Sequence, residues 1–216
     1  MLMTDLLKVD RNEIYRYMGL HGAYPDERLK SITENVICEL VAAATPRYCI
    51  KDTSVKIDGE WVLFDSFKVY SKSLSKHLAN CTSAVLFAAT IGADVDRIVS
   101  KYSVISPVKA VAAQAAAAAM IEMYADEVCE KIQKEEKTYL VPRFSPGYGD
   151  FSLDFQKKLL ELLNAQKRIG LCLTNGNLLT PIKSVTAVIG KTNSSDGCVI
   201  HKCSGCPNFD CPFRKE

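Results

Sequence analysis

Several common chemistries are missing from this sequence. Its three histidines, His21, His77 and His201, stand far apart. Nothing pairs one of them with a serine or cysteine in the manner of a Ser-His-Asp or Cys-His hydrolase, so each reads as an ordinary surface or capped histidine. There is no Walker loop, no dinucleotide fingerprint and no internal repeat. Charge of one sign is also scarce. The formal balance is +2, with Lys and Arg scattered among Asp and Glu, so no basic face is set aside for nucleic acid. The longest apolar runs, Ser83–Ala93 and Val111–Ile121, are too short to cross a bilayer and fit a buried strand and a helix. No basic-then-apolar leader opens the chain. A cytoplasmic protein without a nucleic-acid or membrane partner is expected.

At 216 residues, 48% apolar and 24% charged, the chain can bury one substantial core, with or without an appendage. Of the nine cysteines, Cys38, Cys49, Cys81, Cys129 and Cys172 lie apart in apolar surroundings. These five are expected to be small buried hydrophobes. The other four crowd into the last 19 residues and need a separate account.

Asp10-x-x-Glu13 predicts a capping box for a short helix ending near Gly22. Leu29, Ile32, Val36, Ile37, Leu40 and Val41 recur at helical spacing, giving a helix over Asp26–Ala44 that Pro46 stops. Over Thr53–Tyr70 the period changes to two, and Asp58-Gly59 predicts a hairpin. Ser71–Leu78 reads as a Ser-capped helix, Ala84–Ile91 as a buried central strand and Ala93–Tyr102 as a helix. The alanine-rich stretch from Val108 to about Gln133 predicts a long, closely packed helix. On it Glu122 and Asp126 stand four apart, an arrangement that usually marks a solvated face. A further helix is expected from Ser152 to near Gly170, with strands at Leu171–Leu173 and Ser184–Ile189 around an Asn175-Gly176-Asn177 turn.

The chain is organised around Arg143-Phe144-Ser145-Pro146-Gly147-Tyr148-Gly149-Asp150. Pro-Gly suits the centre of a type II turn. Gly149 allows a second close approach of backbone to a ligand. Arg143 offers a planar fork suited to a carboxylate or phosphate. The alternative is a surface loop whose arginine is solvated or ion-paired.

Four segments, in order, resemble one family. Arg143-Phe144-Ser145-Pro146-Gly147-Tyr148 is similar to the R-x-x-P-G-Y segment of the activation domain of cobalamin-dependent methionine synthase. Ile121-Glu122-Met123-Tyr124-Ala125-Asp126 resembles its A-E-x-x-A-E segment, Arg168–Thr174 its T-G-x-x-L-T segment, and Thr180–Thr186 its x-P-x-x-S-V-S segment. The resemblance spans about Glu122 to Gly190 and is more specifically to the stand-alone proteins of this group. It implies binding of S-adenosylmethionine and presentation of its methyl group to a corrinoid during reductive reactivation. Carried over residue by residue, Arg143 holds the ligand's carboxylate and Glu122 lies near its amino or sulfonium end. Backbone at Ser145, Pro146 and Gly147 lines the pocket, and Tyr148 faces the corrinoid. Methyl transfer from a sulfonium mainly requires positioning, so no catalytic acid or base is expected.

The sequence departs from the family in two places. Gly149-Asp150-Phe151-Ser152 replaces the family's Pro, Cys and His after the tyrosine, which removes a corrinoid-side histidine. The tyrosine-rich end is replaced by Cys198-x4-Cys203-x2-Cys206-x4-Cys211. Four thiolates can hold an iron–sulfur cluster or a tetrahedral zinc, or the tail can be a redox-active or simply reduced segment. A cluster would also supply the electron that reactivation consumes.

The expected fold is α+β, with helices packed on a mostly antiparallel sheet over residues 1–195 and a cysteine-rich tail over 196–216. The expected function is that of an accessory subunit which reactivates a corrinoid-dependent methionine synthase lacking its own activation domain. The cobalamin sits on that partner, and an electron donor protein is a further candidate partner. Two alternatives remain open: an iron–sulfur electron-transfer or metal-binding protein on a degenerate scaffold, and an activator of another corrinoid methyltransferase.

Overall fold

The computed structural model describes residues 5–20 and 24–193. Asp10 accepts a hydrogen bond from Asn12 N–H and starts α1 (Arg11–Tyr17). This helix stops at Tyr17, before the expected Gly22. Asp26 caps α2 (Glu27–Ala43), which buries Thr33, Val36, Ile37 and Leu40. Cys38 points away from that stripe and is exposed, contrary to the expectation of a buried thiol. Cys49 and Cys81 are buried, whereas Cys129 and Cys172 are half-buried.

The next element, β1 (Arg47–Ser54), was not expected, because only Cys49 and Thr53 of its residues are buried. The expected hairpin forms as β2 (Lys56–Asp58) and β3 (Trp61–Leu63). Asp58 pairs with Trp61, so the turn is centred on Gly59-Glu60, one residue later than read. A third strand, β4 (Lys68–Tyr70), completes this small sheet. Ser71 caps α3 (Lys72–His77).

The central strand is β5 (Ser83–Thr90), followed by α4 (Ala93–Ile105) and the 30-residue α5 (Pro107–Glu136). Then come β6 (Tyr139–Leu140), α6 (Phe155–Leu163) and α7 (Ala165–Ile169). The expected single helix is broken here, because Asn164 takes a left-handed conformation at φ +51°. The short strands β7 (Cys172–Leu173) and β8 (Leu179–Thr180) pair with each other, and β9 (Ser184–Thr192) closes the described chain.

The main sheet runs β1-β5-β9-β6, antiparallel throughout. Val85, Phe87 and Ala89 of β5 face a core shared with α1, α2, α4 and α5, whereas Ala84, Leu86 and Ala88 face a second core under α3, α6 and α7. Burial on both faces explains why β5 reads as an uninterrupted apolar run. The alanines of α5 belong to the first core, where Ala112, Ala113, Ala116 and Ala117 are fully buried and let neighbouring elements approach. The architecture is α+β, as expected. No described helix is long and apolar enough to cross a membrane.

Candidate functional site

A strand edge creates the site. β6 covers the outer edge of β9 only at Thr192 and Lys191. Val141 N–H reaches Gly190 O at 3.0 Å, and Phe144 exchanges hydrogen bonds with Val188 at 3.0 and 2.9 Å. Past Val188 no described strand covers this outer edge of β9. The chain instead turns away through Ser145–Tyr148, leaving a cleft of about 850 Å³. Its walls are the second half of α5, the segment 140–148, the uncovered Ser184–Thr186 edge, Tyr17 of α1, Leu179 of β8 and Gln156 of α6.

The loop has the turn its sequence predicts. Tyr148 N–H donates to Ser145 O at 3.1 Å, and Gly147 between them has φ +96°, the left-handed conformation a type II turn requires at its third position. Gly147 N–H also donates to Phe151 O at 2.7 Å. Ser145, Pro146 and Tyr148 line the cleft, while Gly147 turns the chain without lining it. Tyr148 is 56% exposed at the rim and meets Phe144 edge-on at 5.8 Å.

Gly149 has a different role from the one expected. A Cβ there would meet Ser73 Oγ at 2.5 Å, so its close approach is to α3. Asp150 accepts from Ser71 Oγ at 2.7 Å, Lys72 N–H at 2.8 Å and Ser73 N–H at 2.9 Å. These bonds hold its carboxyl well below the usual carboxylate range, the Ser71 hydroxyl contributing most. His77, at the other end of α3, donates through Nε2 to Pro142 O at 2.7 Å and packs on Phe144 at 4.8 Å. Burial lowers its pKa. Both residues brace the loop.

Arg143 turns back onto α5. Its Nη2 donates to Glu122 at 2.6 Å, and its Nη1 to Asp126 at 2.5 Å and to Cys129 Sγ at 3.8 Å. The guanidinium side chain is only 11% exposed. Burial alone would lower its pKa, but Asp126 and Glu122 more than offset that and hold it above the ordinary arginine value. Glu122 and Asp126 are therefore partners of one buried cation, not a merely solvated face. The Nε–H and one Nη2–H have no partner among the described residues, so part of the fork remains available to an anion. Burial, aided by Glu13 and Glu122, pushes the Tyr17 phenol up to about 12.

The cleft thus carries Glu122, Asp126 and Glu130 against Arg143, a net negative lining suited to a ligand with surplus positive charge and one carboxylate. Of the expected site residues, Glu122, Arg143, Ser145, Pro146 and Tyr148 come together here. Sequence reasoning missed Tyr17, Cys129 and Gln156, which carry no local signal. It placed Asp126 and Thr186 in motif segments without giving them a role. No group of three or more His, Cys, Asp or Glu able to hold a metal occurs among the described residues. Cys198, Cys203, Cys206 and Cys211 lie outside those residues.

No family model matches the chain, and no curated protein sequence does. A solved structure does: the MetH reactivation domain bound to AdoHcy aligns with a TM-score of 0.68 over 87% of this chain and 75% of that one, at 17% identity. At this identity the likeness speaks for a shared fold.

Proposed function

We propose that the protein binds S-adenosylmethionine in the cleft and presents its methyl group to the corrinoid of a methionine synthase during reductive reactivation. The observation that carries this reading is the acidic cleft around the Arg143–Tyr148 loop, on a fold shared with a reactivation domain that binds AdoHcy. A corrinoid carried by the partner would supply the reduced cobalt that accepts the methyl group, leaving S-adenosylhomocysteine in the cleft. This chain's part is to bind and orient. The open N–H groups of Arg143 hold the ligand's carboxylate, and Glu122 with Asp126 offsets its ammonium and sulfonium charge. The backbone of Ser145 and Pro146 shapes the wall, which the Gly147 turn positions. Tyr148 stands at the exposed rim, where a corrinoid partner has to approach.

Cys198, Cys203, Cys206 and Cys211 are proposed to hold an iron–sulfur cluster that relays the required electron, with zinc as the alternative. Anaerobically prepared protein is then expected to contain iron and acid-labile sulfide, and Cys206→Ser to lose both while keeping ligand affinity. Stoichiometric zinc without iron would end the electron-relay role. The cleft is tested by anaerobic calorimetric titration with S-adenosylmethionine. Saturable one-to-one binding is expected, weakened roughly tenfold or more in Arg143→Lys, whose point charge cannot replace the fork. Absence of binding to the wild-type chain overturns the reading.

A further inference from the structure

Two buried polar side chains in the cleft have no hydrogen-bond partner among the described residues. Gln156 is 6% exposed and Thr186 is 4% exposed. Neither the amide of Gln156 nor the hydroxyl of Thr186 has a hydrogen-bond partner among the described residues. Among the described residues, the only fully sealed side-chain polar atom without a partner is Thr33 Oγ1. The Gln156 and Thr186 groups are therefore open to the cleft they both line. Buried polar groups in folded proteins are nearly always paired, so two open ones facing a single cavity point to a ligand.

Their placement shows which part of the ligand. β9 separates the two cores: Ala187 and Ile189 face the α5 side, whereas Val188 faces the α6 side. By the two-residue alternation of a strand, Thr186 shares the face of Val188, where Gln156 of α6 also lies. Glu122 and Asp126 act from α5, on the opposite face, and hold the loop residue Arg143 there. The cleft wraps round the open edge of β9 with a charged arm on one side and an uncharged, hydrogen-bonding arm on the other. The edge adds to the second arm. Val188 directs its own N–H and C=O toward Phe144, and alternation directs those of Thr186 the same way, where no described strand meets them.

We propose that Gln156 and Thr186 read the heterocyclic base of the ligand. This rests on the S-adenosylmethionine reading of the same cleft. A carboxamide places an acceptor and a donor side by side, which complements the amino group and neighbouring ring nitrogen of adenine. Thr186 adds a hydroxyl that can donate or accept.

The test uses the full chain and two probes: S-adenosylmethionine, and 5′-methylthioadenosine, which keeps the base and ribose but lacks the amino-acid end. Gln156→Met and Thr186→Val preserve shape and remove hydrogen bonding. Each is expected to weaken both probes by the same factor, about tenfold. Neither side chain loses a partner in the free protein, so melting temperature is expected to hold or rise, whereas a structural role predicts a fall. Folded variants that bind both probes as wild type does overturn this inference alone. Loss confined to S-adenosylmethionine overturns it too, by moving the pair to the amino-acid end. A wild-type chain that binds neither probe removes the reading of the cleft and this inference with it.

Discussion

Arg143 shows how one side chain couples loop to helix. Its guanidinium is nearly buried, but the carboxylates of Glu122 and Asp126 are 42% and 50% exposed. Removing the cation leaves two like charges that water can still reach, so the loss is smaller than for a fully buried pair. Arg143→Ala is expected to destabilise the fold by about 2 kcal/mol, measured by urea denaturation. An unchanged midpoint would mean that the ion pairs contribute nothing. Tyr148 is the contrast. Its ring is more than half exposed, so Tyr148→Ala is expected to cost under about 1 kcal/mol while reducing methyl transfer in the reaction proposed above. A loss of several kcal/mol would make it a packing residue instead.

Between elements, the decisive contact is the one from the loop to α3. Asp150 satisfies the first backbone donors of that helix, and Gly149 leaves room for the Ser73 side chain. Since the Asp150 pKa is depressed in the folded chain, the contact stabilises fully above the unfolded value of about 4 and is lost as pH falls below it. Asp150→Asn is expected to lower the melting temperature at pH 6 and to flatten its decline between pH 4 and pH 2. Parallel pH curves for the two proteins would show that the cap does not contribute to acid sensitivity.

For the whole molecule, β9 is the shared wall. It closes both cores and supplies the edge on which the charged and uncharged arms of the cleft meet. Gly190 lets it pass, since a Cβ there would collide with Cys81 Sγ and come within 2.8 Å of Leu78 and 2.9 Å of Val141. Gly190→Ala is expected to cost about 1–3 kcal/mol by overpacking. It is also expected to weaken ligand binding through displacement of the Ser184–Thr186 edge, although it touches no ligand group. Wild-type stability in that variant would mean the second core has room that the packing does not show.

Sequence alone determined what depends on neighbours a few residues apart. The periods of α2, α5 and β5, the Ser71 and Asp10 caps and the Pro146-Gly147 turn are all local, and each formed where expected. Motif order also singled out the loop and Glu122, which the fold brings to one cleft. Tertiary structure decided the rest. β1 carries too few apolar residues to announce itself, and only its pairing with the buried β5 makes it a strand. Asn164 breaks a helix whose periodicity runs straight through it. Asp150 became a helix cap because α3, 78 residues earlier in the case of Lys72, lies under it. The Arg143 ion pairs span 21 and 17 residues. Gln156 and Thr186 face one cavity only because β9 outruns β6 at the sheet edge. Such contacts join distant parts of the chain, and no local period or propensity encodes them.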